Sequence, residues 1–193
     1  GTGYSKAITS VGGTADDDAG NSYSNEAGIS ASGVKVAIKR VDANWWNGAT
    51  GGGTAFDQAN PVWVDAVYNA GDKSWSYDAS GIVFVSSKTY QVISRAVDQV
   101  GNSEYPVNSP VMGQAKSVAY DPFPPSKGIT FPVDVSYYNA ATLSNMTGSS
   151  TDTVSSVETV WIRLKVQGAQ SYWNGGNSGT IADWDTAAGT KYG

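Results

Sequence analysis

A chain of 193 residues, 15% charged with a net charge of −5, has room for one large domain or two small ones, and its sparse, acidic charge without any Lys/Arg-rich run argues against nucleic-acid binding. The sequence contains neither Cys nor His, which removes disulfides, thiolate metal sites, ordinary zinc sites and the Ser–His and Cys–His nucleophile pairs. No apolar run approaches the roughly 18 residues of a membrane span and no segment reads as a signal peptide, so membrane insertion is not expected.

Along the chain, Val, Ile, Tyr and Trp come in short alternating runs between stretches rich in Gly, Ser, Thr, Asn and Asp. That pattern predicts an all-β protein. The first expected strand covers 5–15 and ends in Asp16-Asp17-Asp18, followed by a long polar loop. Strands follow at about 34–42, 61–68, 73–78, 88–97 and 109–119. Alternation in "YQVISRAV" places Tyr90, Val92, Ser94 and Ala96 on one face and Gln91, Ile93, Arg95 and Val97 on the other. Neither face is wholly polar, so partial cover on both sides is expected. The segment "YDPFPPSKG" (120–128) then reads as a linker, because its prolines do not fit a central strand and they stiffen a connector. Beyond it, strands are expected at about 129–135, 142–150 and 157–167.

An internal repeat organises these elements. "ITSVGGTADD" (8–17) aligns with "LSNMTGSSTD" (143–152), placing Ile8 on Leu143, Val11 on Met146, Gly13 on Gly148 and Asp17 on Asp152. "VKVAIK" (34–39) aligns with "VWIRLK" (160–165), and Trp46-Asn47-Gly48 with Trp173-Asn174-Gly175. The first copy carries nine more residues in its loop, within "AGNSYSNEAGIS". The second begins with "GITFPVDV" (128–135), which has no counterpart in the first, and it contains no equivalent of the strands at 73–119. The expected organisation is therefore a module at 1–119 lacking its first strand, a Pro-rich linker at 120–128, and the first half of a second module at 129–193. Open sheet edges left by such gaps invite pairing with another chain.

The string "KTYQVISRAVDQVGNSEYPVNSPV" (88–111) resembles the closing hairpin of bacterial Ig-like or fibronectin type III-like domains, which occur in tandem in large secreted and cell-surface proteins. The matching positions are Tyr90, Val92, Ile93, Arg95, Ala96, Asp98, Gly101 and Asn102, and "GTADD" (13–17) with Gly33-Val34 fits the same family's second and third strands. The resemblance implies tandem Ig-like β-sandwich modules, but that family carries no single activity.

Three kinds of site can be drawn on these residues. Asp16, Asp17, Asp98 and Asn102 would lie at one pole of the sandwich, and Asp121 with Asp152 at a junction, as oxygen ligands of the kind Ca²⁺ takes. The same residue types at turns also cap backbone N–H groups without any metal. Trp45 and Tyr172 are candidates for stacking a glycan, whereas Trp46 and Trp173, recurring after the same strand, read as core indoles before a tight Asn-Gly turn. Catalysis would have to rest on carboxylates alone; the 17 acidic residues offer many accidental pairs and no diagnostic spacing, so no enzyme is expected. The leading expectation is a structural repeat of an extracellular fibre, stalk or surface appendage, joined to neighbouring copies by strand exchange. The alternative is a carbohydrate-binding or adhesin module using exposed aromatics.

Overall fold

The computed structural model describes residues 3–17, 27–104, 112–134, 136–139, 141–143, 145–165, 167, 172–173 and 184–185. Asp18, most of the long polar loop, the start of the expected strand at 109–119, and Asn174-Gly175 of the second Trp-Asn-Gly lie outside them. Contacts divide the chain into two compact units, Gly1–Phe123 and Pro124–Gly193. Apart from two three-residue 3-10 turns, every regular element among the described residues is a strand, so the chain is all-β.

The first unit contains β1 (Gly3–Ser5), β2 (Ser10–Thr14), β3 (Ile29–Arg40), β4 (Trp45–Trp46), β5 (Phe56–Gln58), β6 (Val64–Asp65), β7 (Val67–Asn69), β8 (Ser74–Asp78), β9 (Lys88–Asp98) and β10 (Lys116–Tyr120). One sheet runs β1-β10-β9-β3-β4-β5, with β6 also pairing β3; the other runs β2-β8-β7. All neighbours are antiparallel except β1, which lies parallel to β10. The residues ahead of β2 are therefore not bare: a three-residue strand occupies the edge beside β10, in a module expected to lack its first strand.

Period-two alternation explains the core. Val34, Val36 and Ile38 on β3 are buried from one face, and the inner side of β9 contributes Tyr90, Val92 and Ala96. Trp75 on β8, with Val11, Tyr68 and Tyr77 from the second sheet, closes over them. The two sheets thus face each other across one apolar layer. Gly33 permits the irregularity where β3 and β9 shift register between Ile29 and Val34. A Cβ there would lie 2.5 Å from the Val97 carbonyl oxygen. The opposite face of β3 and β9 is covered too: Ala37 and Ile93 pack with Trp45 beneath Trp63 and Met112. Partial cover on both faces, expected from the β9 alternation, is what forms.

In the second unit, β11 (Ser126–Phe131) pairs antiparallel with β12 (Thr147–Thr151), and β13 (Tyr172–Trp173) with β14 (Trp184–Asp185). β11 begins inside the stretch expected to be linker, directly after Pro124-Pro125. The strand expected at 157–167 does not form among the described residues, where Lys165 makes only an isolated bridge to Tyr172. β3, which has a similar alternation, is held by β9, β4 and β6, a ladder that 157–165 does not form among the described residues. Val160, Trp161 and Ile162 consequently stay 45–55% exposed.

Candidate functional site

The Trp-Asn-Gly corner of the first unit is a knot of internal bonds. Trp46 is fully buried and its indole N–H donates to the Ala49 carbonyl at 2.7 Å. The Asn47 side-chain oxygen accepts from the Ala49 and Ala55 N–H groups, and its amide nitrogen donates to the Gly53 carbonyl at 2.9 Å. Gly48 adopts φ +82°, a conformation that side chains other than glycine's rarely take. Both side-chain polar atoms of Asn47 hold the loop at 47–55, so the motif terminates β4 and turns the chain.

The two glycan candidates differ in setting. Trp45 points away from Trp46, as adjacent strand residues must, but into the layer with Ala37, Ile93, Trp63 and Met112. It is 6% exposed, with the Lys39 ammonium 5.7 Å from its ring. No ring face of Trp45 is open to stack a sugar. Tyr172 is half-buried, with the Arg163 guanidinium and the Lys165 ammonium each within 5.3 Å of its ring centre.

The acidic candidates serve turns. Asp16 pairs with Lys73 at 2.5 Å. Asp17 accepts from the Gly28 N–H, whose own carbonyl accepts from the Gln99 N–H. The end of β2 and the end of β9 are thereby tied through one glycine at φ +72°. Asp98 accepts from Val100 N–H, from Asn102 N–H and from the Asn102 side chain. Partial burial pushes the Asp98 carboxyl up, and the bonds from Asn102 and the turn N–H groups outweigh it, leaving the group below its ordinary value. Asp121 is 7% exposed and accepts from the Phe123 N–H. In the second unit, the Val154 and Ser155 N–H groups hold the Asp152 carboxyl below its usual range. Among the described residues no three acidic side chains converge on a point that would hold a metal.

What remains open is an edge. Among the described residues β2 is bonded to β8 on one side only, and a groove of about 510 Å³ runs beside it, between β2 and the facing β9–β10 pair. Its walls include Ile8, Val11, Trp75, Val92 and Val118, residues that belong to the core. Only Lys116 among its lining residues carries a charge. Sequence reasoning anticipated an unpaired edge from the repeat, but the cleft could not be read from the sequence because its walls come from both sheets.

No protein-family model, curated protein or solved structure matches the chain. The site therefore has to be read from its own chemistry: an apolar slot beside a strand edge that is unpaired among the described residues fits an extended polypeptide better than a small polar substrate.

Proposed function

We propose that the chain is a non-catalytic structural repeat of an extracellular fibre, stalk or surface appendage, built from Ig-like, fibronectin type III-like sandwich modules. The observation that carries this reading is the β2 edge, unpaired among the described residues, beside an apolar groove in the first unit. The pairing of β2 with β8, opposite a sheet in which β9 lies between β10 and β3, supports the Ig-like assignment. Repetition supplies length, and the partners are neighbouring copies of the same chain. Calcium, if it takes part, would act through the carboxylates Asp16, Asp17 and Asp98, displacing the Lys73 ion pair of Asp16 and the backbone bonds of Asp17 and Asp98.

Negative-stain microscopy with light scattering tests the proposal. Uniform filaments, or a mass that grows with concentration, are expected. A compact monomer near 20.1 kDa at all concentrations would refute self-assembly. Glycan binding then becomes the reading to pursue, through Tyr172 rather than the buried Trp45.

A further inference from the structure

The internal repeat says what the groove takes. In the second unit the strand equivalent to β2 is β12, since residues 143–152 align with 8–17. β12 has the neighbour that β2 lacks among the described residues: β11, with Ile129 opposite Gly148 and Gly128 opposite Ser149. Carried over by the alignment, that register places a β11-like strand antiparallel to β2 with Ile129 opposite Gly13, Gly128 opposite Thr14 and Ser126 opposite Asp16. Gly13 faces the Trp75 indole and has no side chain of its own to occupy the slot. We propose that residues 126–131 of a second copy of this chain leave β12 and pair with β2 in the groove, in this register. The proposal rests on the reading of the chain as a self-assembling repeat and specifies its joint.

Exchange is favourable because the ladder bonds balance while burial does not. Against β12, Ile129 is 79% exposed, as part of a two-stranded sheet with no buried core residue among those described. Isolated two-stranded pairings are marginal. In the groove the same side chain enters a slot walled by Val11, Trp75 and Val92.

The donor must be another copy because the chain's own segment is too short to arrive. Tyr120 lies with Ser5 and Ile8 at one end of the slot: Ser5 pairs with Tyr120, and Ile8 shares a cluster with Tyr120. Ala15 lies at the far end, packed with Ala96 and Val34. Ser126 would have to sit beyond that end, opposite Asp16. From Ile8 to Asp16 a strand covers roughly 26 Å. The steps from Tyr120 to Ser126 reach at most about 22 Å, and Asp121 is further held by its N–H bond to Ser5.

The test uses the full chain, which has no cysteine of its own. Thr14 and Gly128 are both exposed, and a Cβ at Gly128 meets nothing within 4 Å, so T14C and G128C should both fold. The T14C chain is mixed with isotope-labelled G128C chain, oxidised, and the mixed disulfide quantified by mass; T14C with Y137C serves as control, Tyr137 being fully exposed outside the segment. The expected result is at least fivefold more mixed dimer for the 14–128 pair, abolished when I129D is added to the G128C chain. No excess over the control overturns the inference, as does an intrachain disulfide at monomer mass in a T14C/G128C double variant. Filaments seen without the 14–128 crosslink would refute this joint and leave the fibre reading standing. Monomers without it would refute both.

Discussion

Replacing Trp46 separates an architectural indole from a binding platform. Trp46 has no exposed surface; it packs with Ile38, Ala79, Ile82 and Tyr90, and meets Tyr77 edge-on at 6.0 Å between ring centres. An indole buries roughly 200 Å², worth about 5 kcal/mol at ~25 cal/mol per Å², and large-to-Ala changes in cores cost about 3–5 kcal/mol. W46A also removes the donor to the Ala49 carbonyl, which keeps only the Thr54 hydroxyl at 3.2 Å. A unit of this size has a total stability on the order of 6–18 kcal/mol, so the variant should lose a large part of it. W161A is the contrasting substitution, because Trp161 is 55% exposed and should cost under about 1 kcal/mol. Urea unfolding followed by circular dichroism measures both. A W46A loss no larger than that of W161A would refute the architectural account of Trp46.

Two further outcomes follow from the same structure. G33A pushes a methyl group to within 2.5 Å of the Val97 oxygen and 2.8 Å of Ile29 Cγ2; the β3–β9 register must shift, and a loss of about 1–3 kcal/mol in the same urea assay is expected, whereas wild-type stability would remove Gly33 from the account of the bulge. Asp98 titrates below its ordinary value in the folded chain, so its stabilising contribution is present above the unfolded pKa and is lost as pH falls through the folded one. The stability gap between wild type and D98N should accordingly be constant near neutrality and close below about pH 4; a gap unchanged down to about pH 3 would show that the turn bonds do not depend on the carboxylate charge.

Local pattern determined the parts of this protein that depend on near neighbours. Alternation in 34–38 and 90–96 marked the inner faces of β3 and β9, and Trp-Asn-Gly marked a corner, because side-chain direction and turn geometry are decided within a few residues. The capping roles of Asp98 and Asp152 are local for the same reason. Burial of Trp45 was decided elsewhere: its cover is Trp63 and Met112, brought from distant parts of the chain. So was the fate of 157–165, whose apolar alternation matches β3 but which forms no ladder among the described residues; a strand exists only where a neighbour completes its ladder. The groove beside β2 is likewise tertiary, formed by core side chains of two sheets around one backbone edge. The repeat read in the sequence is the basis for the strand proposed there, whereas the place itself, open among the described residues, was left by packing.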